Sequence, residues 1–261
     1  MTFLVDLLAA TLRNATALVF GTVGETIVER AGILFLGIEG TMYAGAFSGF
    51  AVAAATGSPL LGLLAAVVVG CAAGAIMALL VVRLGANQHV AGLGLTIGLI
   101  GLSEFANRLV FTGTDLVRIE PMPLLDVAGA LGLGALPGVA GGLGEVLRQY
   151  ALTWVAFLVV APAGWWLLAR SSFGLAIRAV GENPEAADAA GIDVGRTRTF
   201  ALMLGGALMA VGGAFLTLAV LGSFTLDIIA GRGWVAIALV IFGRWRVFRG
   251  VAGALLFSFV Y

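Results

Sequence analysis

Residues 59–82 read PLLGLLAAVVVGCAAGAIMALLVV, without one charged side chain from Pro59 to Val82. A helix crosses the hydrocarbon core of a bilayer in about 20 predominantly apolar residues, so this stretch is long enough to span it. A helix at the surface of a soluble domain keeps a polar face at 3.6-residue spacing, and none exists here. Cys71 sits in the middle of the run. A lone thiol in that setting is a small packing residue, with no partner for an internal disulfide and no metal-site context.

The pattern recurs on both sides. Thr199–Leu221 is uncharged, and so is Ala151–Ala169, where Pro162 predicts a kink that neighbouring helices tolerate. Ala31–Thr56 is long enough to span but carries Glu39; Val90–Ala106 is shorter and carries Glu104. Phe3–Phe20 is a weaker span because of Asp6, Arg13 and Asn14. Near the far end, Gly233–Gly243 is too short to cross upright, and extending it back to Ile228 takes in Arg232. Val251–Tyr261 is apolar and stops, which leads to the expectation that the natural chain continues beyond Tyr261.

Composition agrees. The chain is 61% hydrophobic and 11% charged, against about 25% charged for a soluble domain. Its 14 basic and 14 acidic residues cancel, which excludes the basic face of a nucleic-acid binder. All the basic residues are Arg. A chain without Lys cannot form the Gly-x-x-x-x-Gly-Lys-Ser/Thr loop, so no ATPase site of that kind, no cofactor and no metal site is expected, and the chain reads as a non-enzyme. The arginines also orient it. If 170–198 is cytoplasmic, nine arginines fall on that side, with Arg83, Arg30 and Arg244, Arg246 and Arg249 joining Arg170, Arg178, Arg196 and Arg198; Arg108, Arg118, Arg148 and Arg232 fall on the other. The segment 107–150, with Pro121, Pro123 and Pro137, reads as an extracytoplasmic loop containing short helical pieces. Gly70/Gly74 and Gly94/Gly98 have the spacing that lets two helices approach closely.

The most informative polar stretch is 180–192, VGENPEAADAAGI. Asn183 is a good N-cap, Pro184 suits the first helical position, and Glu185 and Asp188 place negative charge near the positive end of the dipole. Gly191 offers a left-handed stop. The result is a short helix over Pro184–Ala190 with an alanine face flanked by charge, a shape suited to docking in a groove of another protein.

Glu185-Ala186-Ala187 followed after three residues by Gly191 resembles the EAA loop of ABC-importer permeases. Phe173–Pro184, Glu29–Ile33 with Gly37-Ile38-Glu39-Gly40, Arg83–Gln88, and Gly222-Ser223-Phe224 with Ala230–Trp234 resemble the branch serving branched-chain amino acids, simple sugars and nucleosides, most of all guanosine-type permeases. The resemblance covers nearly the whole chain. It implies an all-α, polytopic transmembrane bundle with broken or re-entrant helices, forming one permease domain over 1–261 in a bacterial cell membrane. It implies a cytoplasmic coupling helix, in the loop 170–198, through which Glu182, Asn183, Pro184, Glu185, Ala186, Ala187 and Gly191 contact an ABC ATPase subunit. A second permease subunit, expected in this branch to be a different chain, an extracytoplasmic solute-binding protein, the lipid bilayer and a small polar solute, a nucleoside or simple sugar, complete the expected partners; nucleic acid is not among them.

Polar residues in or beside spans are candidates for the translocation path. Intramembrane acids usually face a cavity or a partner, so Glu39 either touches solute or braces a helix break. Asn87 and Gln88 either bond a polar solute or end a helix at the surface. Glu104 sits at the opposite end of its span, near the outer mouth. Ser223 and Asp227 belong to a short segment that reads as re-entrant. A different class of protein, an ion-gradient-driven secondary transporter, would use Glu39 and Glu104 as coupling sites and would work without an ATPase.

Overall fold

The computed structural model describes residues 2–111, 117–130 and 140–260. Expectations that fall on 112–116 and 131–139, including Pro137 within the 107–150 loop, and on Tyr261 lie outside the described residues.

Helix α1 covers Thr2–Arg30 and so runs well past Phe20, with residues 21–30 forming its last turns. The acid that interrupts the apolar run is absorbed, not solvated. Glu25 is fully buried, and its Oε1 accepts the Phe35 N–H at 2.9 Å. After Arg30 the chain is irregular to Gly37, and α2 covers Ile38–Thr56. The span expected over Ala31–Thr56 is therefore a shorter helix preceded by a non-helical stretch. Backbone away from water needs partners inside the protein, and this stretch finds them. Leu34 N–H donates to Gln88 Oε1 at 3.1 Å, Phe35 N–H to Glu25, and Leu36 C=O accepts from Thr96 Oγ1 at 2.9 Å.

Helix α3, Pro59–Ala78, starts with the Ser58 cap and Pro59 at its first turn, then winds as a π-helix through Leu79–Arg83. Helix α4 is Gln88–Val110. The following segment holds more than helical pieces. β1, Leu124–Asp126, pairs antiparallel with β2, Arg148–Tyr150, around the short helices α5, Val127–Ala130, and α6, Ala140–Leu147. Gln149 fixes this ribbon to α1. It is fully buried, donates to Ala9 C=O at 3.2 Å, and accepts from Arg13 Nε at 3.2 Å.

The next span is continuous but irregular: α7, Ala151–Trp154, passes through a π-helical Val155–Val160 into α8, Ala161–Arg170. Pro162 lacks the N–H that an α-helix needs, and the wider π turns lie just before it. Then follow α9, Ser172–Glu182, and α10, Pro184–Ala189. Helix α11, Val194–Phe215, ends in a π-helical Leu216–Leu221. An irregular stretch through Gly231 leads to α12, Arg232–Phe242, and α13, Val247–Val260. Among the described residues the fold apart from the ribbon is all-α, and five helical segments are long and apolar enough to cross a membrane.

Helix α11 is the centre. Of its most apolar window 78% is buried, against 22% for α4. It packs on α1, α2 and α3. Gly70 and Gly74 of α3 lie against Gly206 and Leu202 of α11 so closely that a Cβ at either would strike backbone. Gly94 and Gly98 of α4 meet nothing within 4 Å. Of the two Gly-x-x-x-Gly pairs, the first is used inside the chain and the second faces outward.

Two units of like construction run in opposite directions. Arg30, at the C-terminus of α1, bonds the Trp245 carbonyl just beyond α12, and Arg198, near the start of α11, bonds Ala31 C=O. The end of α1, the end of α12 and the start of α11 thus share one face. At the other, Thr217 late in α11 donates to Ala46 of α2 at 3.0 Å. So α1 runs toward that first face and, after a break, α2 runs away from it, while α11 runs away from it and, after a break, α12 runs back toward it, the inverted arrangement found in transporters built from inverted repeats.

Candidate functional site

The two breaks meet at Glu39. It lies in the first turn of α2 and is 7% exposed. Its Oε1 accepts the Gly231 N–H at 2.8 Å and its Oε2 the Gly233 N–H at 2.7 Å. A carboxylate thus closes the N-terminus of α12, where the dipole and the unpaired N–H groups favour negative charge. Both oxygens are engaged in bracing.

Above Glu39 on the same face of α2 come Tyr43, Phe47 and Phe50, spaced by four, four and three residues. Tyr43 O–H donates to Glu104 Oε1 at 3.4 Å, and Asp227 also faces that hydroxyl. Phe224 fills the centre. Its ring lies 5.3 Å from Tyr43, 5.4 Å from Phe47 and 6.4 Å from Phe50, the first two edge-on. Asp227 and Ala230 hold positive φ, 59° and 49°. Non-glycine residues hold that conformation only when surrounding structure imposes it.

Three of the six path candidates therefore lie together, Glu39, Glu104 and Asp227, gathered around Tyr43, and half-buried Ser223 precedes Phe224 on the second break. The other two lie apart. Asn87 Oδ1 accepts the His89 and Val90 N–H groups and caps α4, while Gln88 holds the first break through Leu34. Sequence reasoning passed over Tyr43 and Glu25. Tyr43 was signalled by its four-residue spacing from Glu39. Glu25 gave no comparable signal, because its partner, the Phe35 N–H, belongs to a break that periodicity does not reveal.

At the α1 C-terminal face stands α10. Asn183 is extended, φ −152° and ψ 95°, and its Oδ1 accepts the Ala186 N–H at 3.0 Å. Pro184 occupies the first turn, and Gly191, φ 84°, ends the helix, its N–H donating to Asp188 C=O at 2.8 Å. Ala187 alone in the helix is buried; Glu185, Ala186 and Asp188 are exposed, as is Glu182 at the end of α9. A six-residue helix has little stability of its own, and its flanks supply the rest. Gly181, just before it, packs against the Arg30 carbonyl and Gly32 with no room for a side chain. Arg198, just after it, donates to Ala31 C=O at 3.1 Å. Both flanks rest on the junction of α1 with the first break. Beyond that junction, Glu29 Oε2 accepts the Trp245 indole N–H at 2.6 Å, and Arg30 gives two 3.1 Å bonds to the Trp245 carbonyl. One contact path leads from α10 through the end of α1 to the turn after α12.

The model for the family described as branched-chain amino acid transport system / permease component matches residues 7–261. The chain is similar to a putative glucose ABC transporter permease protein of Haloferax volcanii, at 38% identity over 99% of this chain and 76% of that one. It is similar to the guanosine ABC transporter permease protein of Bacillus subtilis, at 31% identity over 96% of this chain and 79% of the other. It is also similar to a nucleoside ABC transporter permease protein of Lactococcus lactis, at 32% identity over 97% and 80%. No solved structure matches.

Proposed function

The chain belongs to the family of branched-chain amino acid transport system permease components, a multi-pass membrane transport subunit, and from that premise we propose that it carries a nucleoside, or in the neighbouring case a simple sugar, through an ABC importer. The observation that carries the coupling part is α10, a capped helix with Glu185, Ala186, Asp188 and Ala189 exposed and mounted on the α1 break. Glu182–Ala187 and Gly191 form the contact with a separate ATPase subunit on the cytoplasmic face. Closure of the ATPase pushes α10. The rigid seating of Gly181 and Arg198 passes that displacement to the end of α1 and the first break, and Glu39 links that break to the second. The two breaks then shift together, which alternates access. This chain supplies no ATP hydrolysis of its own, since it has no Lys for a phosphate-binding loop.

The solute reading rests on the relatives' names and on the cluster at the breaks. Aromatic rings beside carboxylates suit a sugar ring or purine once the two breaks part, since the rings of Tyr43, Phe50 and Phe224 are buried against one another in this state, giving apolar faces to stack on and acceptors for hydroxyl groups. The second permease subunit packs on the outward face of α4, where Gly94, Gly98 and Gly101 leave a groove beside exposed Leu93, Ile97 and Phe105. A solute-binding protein delivers from the other side of the membrane. Proteoliposomes holding the chain with its ATPase, second permease and binding protein test this: labelled guanosine should accumulate only with ATP. Glucose accumulation instead moves the solute within the proposal. Uptake without ATP that a protonophore abolishes overturns it in favour of a secondary transporter.

A further inference from the structure

A cavity of about 400 Å3 opens at the α10 face between α1, α8, α9 and the start of α13. Four arginines line it: Arg30, Arg178, Arg246 and Arg249. Arg178 and Arg246 both lie close enough to Arg30 to repel it, and Glu182 is the acid that opposes them. Glu29 is also near but is engaged by the Trp245 indole. Among the described residues the ion pair found is Arg196–Asp193, elsewhere, so none of the four arginines has a carboxylate bound to it. Two of them stand at the start of α13, Arg246 just before it and Arg249 in its first turn, which contains no acid. Helix starts favour anions; cations there add to the positive end of the dipole. The turn that presents them is unusual, since Arg244 and Trp245 hold φ 53° and 54°.

The rest of the wall is aromatic. Trp165 and Phe248 stand 5.9 Å apart at the rim, 41% and 49% exposed. Tryptophan at the end of a span marks the headgroup level of a bilayer. From that rim α8 with the π-helical stretch before it, and α13, lead into the hydrocarbon with exposed Val159, Leu256 and Phe259. A soluble anion would have no use for such a surface; a phosphate carrying acyl chains would cover it.

We propose that this cavity binds the phosphate headgroup of an anionic phospholipid of the leaflet on the α10 side, with the arginines on the phosphate and the acyl chains along α8 and α13. Basic pockets between spans take such headgroups. The site lies beside the Trp245 turn, so a bound lipid would buttress the contact path from α10. The inference requires only that the chain sits in a membrane, and it stands whichever solute is carried.

The test uses the whole chain, delipidated in neutral detergent. Retention of added phosphatidylglycerol is read by native mass spectrometry and the unfolding midpoint by thermal denaturation, with phosphatidylcholine and inorganic phosphate as parallel probes. Phosphatidylglycerol should be retained and raise the midpoint, and phosphatidylcholine and phosphate should not. Arg246→Gln and Arg249→Gln should each weaken retention roughly fivefold, the factor for about 1 kcal/mol per basic residue at an anionic surface. Arg178→Gln, on a different helix, gives the same readout if the α13 variants fail to fold. Unchanged retention in all folded variants overturns the proposal. So does an equal midpoint rise with inorganic phosphate, which would make this a free-anion site. Loss of ATPase assembly in the arginine variants, with phosphatidylglycerol retention unaltered, would make it a seat for an acidic protein surface and overturn it too.

Discussion

A buried carboxylate is costly unless its lone pairs are engaged. Glu39 engages both oxygens on N–H groups of the opposite unit, and Glu25 holds the first break through Phe35. Each buried N–H left without an acceptor costs about 1–3 kcal/mol. Glu39→Gln keeps one carbonyl oxygen for two donors and Glu39→Ala keeps none, so thermal unfolding in detergent should rank wild type above Glu39→Gln above Glu39→Ala. A Glu39→Ala midpoint equal to wild type would remove the brace from the account. Tyr43 differs in kind, since its hydroxyl makes a long 3.4 Å bond to Glu104 and so contributes little to the fold. Tyr43→Phe should leave the midpoint nearly unchanged and raise KM for the solute roughly tenfold, the loss expected for one hydrogen bond of about 1.4 kcal/mol. An unaltered KM would place the solute elsewhere.

Helix α10 is short enough that its ends decide its existence. Asn183 and Pro184 begin it, and Gly191 ends it at φ 84°. A side chain with a Cβ at that φ costs roughly 1–2 kcal/mol, a large share of what a six-residue element has. Gly191→Leu should therefore distort the end of α10 while the spans insert normally, because nothing lies within 4 Å of the site inside the chain. Glu185→Lys reverses an exposed charge in the first turn and leaves the cap intact. Both variants should assemble more weakly or hydrolyse ATP without matching uptake. ATP-driven uptake at the wild-type ratio to hydrolysis in both would separate α10 from coupling.

At the scale of the molecule, much of the architecture could be read from the chain. Absence of charge over Pro59–Val82 and Thr199–Leu221 is a signal of spanning that no soluble setting imitates, and both segments are long helices. Asn183, Pro184 and Gly191 bound α10 through local backbone rules, and local rules are legible in a sequence. What was hidden depends on partners far along the chain. The end of α1 is helical because Glu25 is paired with Phe35, and α2 starts at Ile38 because Gln88, Glu25 and Thr96 satisfy the stretch before it. The β1–β2 ribbon exists because Gln149 reaches Ala9. The gathering of Glu39, Tyr43, Glu104 and Asp227 comes from two breaks meeting, which neither break announces alone.

The central claim is that α10 is the place where an ATPase drives this chain, and proximity tests it most directly. In a Cys71→Ser background, Ala186→Cys is placed on the exposed face of α10 and His89→Cys at the start of α4, and the assembled complex is treated with a short thiol cross-linker. The account expects Ala186→Cys to cross-link to the ATPase subunit in yields that change with bound ATP, and His89→Cys to do so weakly or not at all. An assembly that hydrolyses ATP and imports solute while Ala186→Cys never reaches the ATPase would contradict it.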